Sequence, residues 1–347
     1  MFTETKPADR TALERQNRRI QRLKTRGVTR STVFVHRECK TALDDLRPIL
    51  LNPNRAEVLC KLITDLEVSA KPINVAQVNQ LSPFRYPGGK TWLVPEIRSW
   101  LQSLKYVPDV FVEPYAGGAI AGLTAAAEGL AYSVVLSELD DDVAAVWKTI
   151  FHGTDEEVKW LCRQITSFEV SLVRVQRILS GEPRTDAARA FRTIIKNRMQ
   201  RGGIMAPGAG LVKAGEAGKG LLSRWYPETL STRIKALHGL RDQITFLHCD
   251  AFITIEQFIA NPKASFFIDP PYTAGGKKAG TRLYSHNEID HDRLFALMAK
   301  ARGSVLLTYD DTPEVRTMAN RHGFRIRAVP MKNTHHAIIY ELLLLKP

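Results

Sequence analysis

An apolar run ends abruptly on a carboxylate, two prolines and an aromatic ring in the stretch SFFIDPPY, residues 265–272. The apolar part, residues 265–268, has the length and composition of a buried strand. The prolines cannot continue a ladder, because proline lacks a backbone N–H and fixes φ at about −65°. Asp269 is therefore predicted to be held stiffly just past the carboxyl end of a strand, where open α/β sheets bind ligands. The alternative is an Asp-Pro turn whose carboxylate is only solvated.

Four other segments carry chemically suggestive residues in comparable settings. In PFRYPGGK, residues 83–90, two glycines allow close approach to a ligand and Lys90 supplies a cation at a helix start. In FVEPYAGGA, residues 111–119, a strand runs into a glycine loop and a helix, an arrangement that accommodates a nucleotide-like ligand. Glu138 ends the next strand, where a carboxylate can accept both hydroxyls of a ribose. Asp250, in FLHCDAF, lies at another strand end.

Strands and helices alternate from about residue 83 onward, which predicts a doubly wound, mostly parallel α/β sheet. The pattern from 155 to about 201 is helical and is broken at SGEPR. Residues 202–220 contain seven glycines, too many for regular structure. The sheet resumes with ITFLHCD, SFFID and SVLLTYDD, and FRIRAVPM and HAIIYELLLL are predicted as two further strands.

The segments FRYPGGK, EPYAGG, SELD and DPPY, in this order, resemble the Dam-type DNA adenine methyltransferases. That family transfers a methyl group from S-adenosylmethionine (AdoMet) to the exocyclic N6 of adenine. The resemblance covers about residues 82–347 and does not extend to residues 1–80. It implies that AdoMet is bound by Tyr86, Lys90, Glu113, Pro114, Tyr115, Ala116, Gly117, Gly118, Glu138, Leu139, Asp250, Ala251 and Asp269.

The resemblance also implies individual roles. Residues 113–118 would hold the methionine end of AdoMet, Glu138 its ribose and Asp250 its adenine. Two positions depart from the family pattern. Ala119 stands where the family usually has its second glycine, so this loop must fit a Cβ, and Glu138 replaces the more frequent Asp. Neither departure removes a needed functional group.

The chemistry that the resemblance implies for residues 269–272 explains why a carboxylate, two prolines and an aromatic ring follow the apolar run. The exocyclic nitrogen of adenine is a poor nucleophile because its lone pair is delocalised into the ring. The carboxylate of Asp269 and the carbonyl of Pro270, held rigid by Pro271, would accept its two N–H groups and free the lone pair. The base must first be flipped out of the duplex, and Tyr272 offers a ring on which it could stack. Positioning and electrostatics would supply most of the catalysis, and no metal is implied.

Residues 155–243 are predicted to form a helical, glycine-rich target-recognition insertion between two parts of the catalytic domain, residues 82–154 and 244–347. NRMQRGG loosely resembles the family's DNA-contacting segment, and GGKKAGTRLYSH could close over the flipped base. The predicted DNA-binding residues are Arg192, Lys196, Arg198, Arg201, Lys277, Lys278, Arg282 and Tyr284. Arg198 or Arg201 is predicted to read a base, although a phosphate contact is the more frequent role of a single arginine.

The net charge of +13 over 347 residues is concentrated in two regions. Residues 1–30 contain nine Lys/Arg against three Asp/Glu, and residues 184–224 contain nine against two. Such localised basic regions suit a polyanion, so double-stranded DNA is the predicted partner. A solvated, solubilising surface is the alternative.

The N-terminal residues lie outside the resemblance. Residues 1–30 are predicted to form a basic arm, and residues 31–70 read as strand, helix, turn and helix. This order predicts either a ribbon-helix-helix unit, whose paired strands enter the major groove, or a helical extension packed on the main domain. A homodimer formed through this extension and a cognate restriction or defence protein are further predicted partners.

Several classes of protein are disfavoured by composition. The sequence contains no run of about 18 apolar residues, so no membrane span is predicted. The polar, charged first residues argue against a secretory signal. The four cysteines are scattered without a CxxC pair, which predicts reduced thiols, a cytoplasmic protein and no zinc site. Two alternatives to the DNA adenine enzyme remain: an amino-methyltransferase on cytosine N4 or on RNA, and a DNA-binding regulator whose methyltransferase domain is inactive.

Overall fold

The computed structural model describes residues 78–86, 88–206, 208–274, 288–332 and 338–346. The predicted arm at residues 1–30 and the predicted extension at residues 31–70 lie outside the described residues. So do four of the predicted DNA-binding residues, Lys277, Lys278, Arg282 and Tyr284.

A seven-stranded sheet forms the centre of the described residues. Its strands are β1 (Val110–Glu113), β2 (Val134–Ser137), β3 (Ile244–Leu247), β4 (Ala264–Ile268), β5 (Ser304–Asp310), β6 (Arg325–Lys332) and β7 (Ile338–Leu345). They are arranged in the order β3-β2-β1-β4-β5-β7-β6. The first five pair in parallel, and β7 lies antiparallel between β5 and β6. The predicted doubly wound, mostly parallel sheet is confirmed.

The helices of the described residues lie before or between the strands along the chain. They are α1 (Val94–Ser103), α2 (Ile120–Ala127), α3 (Asp141–Phe151), α4 (Asp155–Ser167), α5 (Leu172–Ser180), α6 (Asp186–Met199), α7 (Pro227–His238), α8 (Ala251–Phe258), α9 (His291–Lys300) and α10 (Pro313–Arg321). Of these, α3 to α7 all fall between β2 and β3. A 3₁₀ helix, Lys90–Leu93, leads into α1. No helix among the described residues is long and apolar enough to cross a membrane.

Two apolar cores cover the two faces of the sheet, because successive strand residues point to opposite sides. Phe111 and Phe267 belong to a core shared with α1, α2 and α3. Val112 and Phe266, their neighbours in sequence, belong to a second core shared with α8, α9 and α10. Burial on both faces explains why the parallel strands read as nearly continuous apolar runs.

Helices α4 to α7 follow α3 and precede β3, and local sequence signals account for their ends. Thr154 and Glu157 form a capping box at the start of α4. Thr185 caps α6 after the SGEPR break that the sequence indicated. These helices extend the first core through buried apolar residues such as Leu161 and Ile194. Among its described residues, the glycine-rich stretch after α6 contains short 3₁₀ turns and one antiparallel bridge from Leu211 to Gln200.

Candidate active site

A cavity of about 410 Å³ lies where the parallel strands end. Its walls come from residues 80–86 and 88–91, from the segments after β1, β2, β3 and β4, from Gly202 and Met205 after α6, and from residues 288–290. All the residues that the resemblance assigned to AdoMet line this cavity, together with Pro271. The topology brings them together because the carboxyl ends of parallel strands meet at one edge of a sheet.

The glycine loop after β1 leaves no room for a side chain at Gly117. Gly117 has φ +45°, and a Cβ there would lie 2.6 Å from Cε1 of Tyr86. Ala119 has φ 55° and is buried, so the loop does accommodate a Cβ at the position where the family usually has glycine. The indole N–H of Trp147 donates to the carbonyl of Gly117 at 3.0 Å. The loop is therefore held by its contact with Tyr86 on one side and by the hydrogen bond from Trp147 of α3 on the other.

Glu138 is held by backbone donors at the end of β2. Its Oε2 accepts from the N–H of Gly117 at 2.8 Å, and its Oε1 accepts from those of Leu139 and Asp140 at 2.8 and 3.0 Å. Burial raises the pKa of Glu138 despite these donors. A carboxylate oxygen has two lone pairs, so Oε2 keeps capacity for another donor such as a ligand hydroxyl. The role of Glu138 toward a ribose stays a prediction.

Glu113 is the most buried carboxyl of the cavity wall, with 3% of its surface exposed. Its Oε2 accepts from the N–H of Gly122 at 2.6 Å. Burial, with a further contribution from nearby Asp269, raises the pKa of Glu113 to about 8, although the Gly122 N–H and Lys90 act in the opposite direction. At neutral pH this side chain is therefore largely protonated.

We expect Glu113→Gln to make the free energy of unfolding less dependent on pH. The folded-state pKa is raised from 4.5 to about 8, so the stabilisation from the bound proton is complete below about pH 4.5 and is lost as the pH rises through about 8. Urea unfolding at pH 6 and pH 9 measures the loss, which should be smaller in the variant by roughly 2–3 kcal/mol. Glu138 titrates in both proteins and cancels. Equal losses in the two proteins would contradict this assignment.

A buried charged network surrounds Asp269 just past β4. Three groups contact its Oδ1: the ammonium of Lys90 at 2.8 Å, the hydroxyl of Thr308 at 2.7 Å and that of Tyr272 at 2.9 Å. The ammonium of Lys90 also lies 3.3 Å from Oε1 of Glu341 and donates to the Gly88 carbonyl at 2.8 Å. The network thus fixes one oxygen of Asp269 with three donors.

Sequence reasoning missed Thr308 and Glu341. Glu341 is 6% exposed, and its Oε1 contacts the hydroxyl of Tyr272, whose single proton is shared between Glu341 and Asp269. Burial raises its pKa, which Lys90 counteracts. A signal was present, because Glu341 is a lone charge inside the apolar run IIYELLLL and a buried carboxylate requires partners. Thr308, in the apolar strand β5, gives a weaker signal of the same kind.

Tyr272 does not lie as the stacking prediction required. Its ring stacks on Tyr309, with centroids 5.6 Å apart and planes at 22°, and the ammonium of Lys90 lies 5.0 Å from its centroid. Neither Tyr272 nor Pro270 is among the residues that line the cavity. In this arrangement the apolar ring of Tyr272 is buried against Tyr309, and its hydroxyl contacts the charged network around Asp269. Burial, then the charges of Asp269 and Glu341, raise its pKa well above the ordinary value.

The predicted DNA-binding residues that the structure describes differ in their surroundings. Arg192 and Lys196 share Asp142 as a partner, at 2.8 and 3.3 Å. Arg201 is exposed, and its contact with DNA stays a prediction. Arg198 requires a correction: it is 5% exposed and its guanidinium donates to the Pro83 carbonyl. Arg198 therefore cannot present its guanidinium to a base edge in this arrangement.

In the part of the chain that the structure describes, no three His, Cys, Asp or Glu residues are grouped so as to hold a metal ion. The cavity wall instead offers carboxylates and backbone groups to an organic ligand.

No protein-family model and no curated protein matches the chain. Among solved structures, it is similar to an rRNA methyltransferase from Streptomyces viridochromogenes, with 12% identity, a TM-score of 0.34 and coverage of 81% of this chain and 92% of that one. It is also similar to a precorrin-6y C5,15-methyltransferase from Geobacter metallireducens, with 10% identity, a TM-score of 0.31 and coverage of 73% and 88%. Scores this far below 0.5 carry no argument about function, which rests on the residues of the cavity.

Proposed function

We propose that this chain is an AdoMet-dependent DNA methyltransferase that modifies the exocyclic N6 of adenine. The observation that carries the proposal is Asp269: a carboxylate that opens a Pro-Pro turn, lines the cavity and has one oxygen fixed by three donors. The same cavity contains the glycine loop at Gly117 and the strand-end carboxylate Glu138.

The charge of the cavity wall favours a cationic ligand over a phosphorylated one. Two basic residues, Arg85 and Lys90, line it together with the carboxyl groups of Glu113, Glu138, Asp140, Asp250, Asp269, Glu288 and Asp290. Even with Glu113 protonated, carboxylates outnumber cations. This field attracts a sulfonium and an α-ammonium group and repels a nucleoside polyphosphate. AdoMet combines both cations with an adenosine that Glu138 and Asp250 could hold.

The residues around Asp269 suggest how the amino group would be handled. All the contacts that the described residues make with this carboxylate use Oδ1. Oδ2 can then accept one N–H of the amino group. The carbonyl of Pro270, which does not line the cavity in this arrangement, would have to turn toward it to accept the other. These bonds favour a pyramidal nitrogen whose lone pair is available for attack. Asp269 is also the group best placed to receive the proton that the nitrogen then loses.

AdoMet, when bound, supplies a methyl group on an already electrophilic sulfonium. The protein therefore needs to contribute mainly orientation and a fixed electrostatic environment. Lys90, Thr308 and Tyr272 keep Asp269 in one position, and the loop that Trp147 holds keeps the cofactor wall in place. The DNA substrate is supported by the excess of basic residues between 184 and 224.

Nucleoside analysis tests the proposal directly. The full chain is incubated with methyl-labelled AdoMet and plasmid DNA, or with RNA in a parallel reaction, and the products are digested to nucleosides. We expect label in N6-methyl-2′-deoxyadenosine from DNA and none in the Asp269→Asn control. Label in N4-methylcytosine or only in RNA would contradict the assigned substrate. DNA binding without label would indicate a regulator.

A further inference from the structure

Residues 82–85, which lead into the cavity, are tied to α6 and α7 by side chains. Asn197 accepts from the N–H of Arg85 at 2.9 Å and donates to its carbonyl at 3.1 Å. Arg198 donates to the carbonyl of Pro83, and Arg233 donates to that of Ser82 at 3.2 Å. Three arginines thus meet along four residues of backbone: Arg85, Arg198 and Arg233, called here the arginine cluster.

The arginine cluster is electrostatically uncompensated within the described residues. No ion pair among them includes any of its three members. Burial, and then the positive charges of Arg233, Arg85 and Arg224, together lower the pKa of Arg198 to about 10. Burial and the charge of Arg224 also lower the pKa of Arg85. Holding like charges together is costly unless an anion joins them.

The cluster also has donors to spare. A guanidinium carries five N–H donors, and the fold uses one from Arg198 and one from Arg233. The Nε of Arg198 is buried without a hydrogen-bond partner. Arg85 and Arg233 are half-buried, so their remaining donors can reach a ligand. Such spare, forked donors are suited to phosphate oxygens.

We propose that the arginine cluster binds a backbone phosphate of the nucleic-acid strand, with Arg85 and Arg233 contacting its oxygens and Arg198 adding positive charge from beneath. The location of the arginine cluster favours a phosphodiester over other anions, because Arg85 and Ser82 line the same cavity as Asp269. A base that enters this cavity brings its flanking phosphate to the rim. The inference rests on the proposed function and assigns the strand's docking point.

Salt-dependent DNA affinity tests the site in the full chain. We expect Arg85→Gln to lower the slope of log K against log salt by about 0.9 and the affinity about 8-fold at 0.1 M salt, which is the counterion release of a single phosphate contact. The KM for DNA should rise with kcat nearly unchanged. Arg85→Gln should fold, because this residue is tied to α6 through its backbone and not its guanidinium. Arg233→Lys should retain the wild-type slope because its charge is kept.

Arg302→Gln is the matched control, since Arg302 is exposed and precedes β5 at the opposite edge of the sheet. Its slope and affinity should equal those of the wild type. If Arg85→Gln also binds with the wild-type slope while the wild type methylates DNA, the cluster is only a structural tie and the inference is wrong. If Arg85→Gln lowers the slope but the wild type yields no methylated nucleoside, the phosphate site stands and the proposed function fails.

Discussion

Asp269→Asn will lower the rate of methyl transfer at least about 10³-fold, equivalent to roughly 4 kcal/mol of activation free energy, and will leave AdoMet affinity within a few-fold of wild type. Asparagine keeps an oxygen that can accept from Lys90, Thr308 and Tyr272. It places an amide N–H₂ where Oδ2 would otherwise accept from the substrate amino group. The variant therefore keeps the fold of the site and loses both its second acceptor and its proton acceptor.

Single-turnover methylation and calorimetric titration of AdoMet separate these two effects. Asp109→Asn is a suitable control, because Asp109 is exposed and precedes β1, at the edge of the sheet away from the cavity. It should methylate at the wild-type rate. An Asp269→Asn enzyme that retains more than about a tenth of the wild-type rate would exclude the carboxylate from the mechanism.

Lys90→Met will lower the free energy of unfolding by about 3–5 kcal/mol, the usual cost of removing one partner from a buried ion pair. Methionine fills most of the space but leaves Asp269 and Glu341 without the cation between them. Because protonation of Glu341 would relieve the repulsion, the loss should be larger at pH 9 than at pH 6. Urea unfolding at both pH values measures it.

A second substitution identifies the source of that loss. In the Lys90→Met background, Glu341→Gln removes one of the two carboxylates and should recover part of the stability, giving a favourable coupling energy in a double-mutant cycle. Lys159→Met is the matched control, because the pair of Lys159 with Glu156 is exposed; its stability should stay close to that of the wild type. A loss below 1 kcal/mol in Lys90→Met would show that the network is not a structural ion pair.

Local sequence patterns predicted the parallel sheet and the polar residues at its strand ends, whereas the full set of cofactor-binding residues came from the family resemblance and stays a prediction. Each motif combines an apolar strand with a polar residue at its end, and parallel pairing alone brings Glu113, Glu138, Asp250 and Asp269 to one edge. The prediction needed no knowledge of side-chain directions, which is why it succeeded.

What could not be predicted depends on contacts between distant segments. Glu341 reaches Lys90 only because β7 inserts antiparallel between β5 and β6, and strand order is not encoded in the composition of β7. Tyr272 packs on Tyr309 and not in the cavity, and this side-chain conformation could not be inferred from the local sequence. The spacing of apolar residues along α6 does not determine whether Arg198 is exposed or buried. The segment at Pro83 that covers it lies more than a hundred residues earlier in the chain.

The placement of β7 has a consequence for how the site around Asp269 forms. Lys90 and Asp269 can meet once β4 has paired with β1, but Glu341 joins them only after β7 has been synthesised and has inserted between two strands that precede it in the chain. Contacts of such long sequence separation form slowly, because the loop must close before the pairing stabilises it. During synthesis on the ribosome, the sheet therefore exists for a time with an open edge at β5 and an unfinished site. In a nascent chain, the edge of β5 should therefore stay unpaired, and the contact of Glu341 with Lys90 unmade, until β7 has inserted.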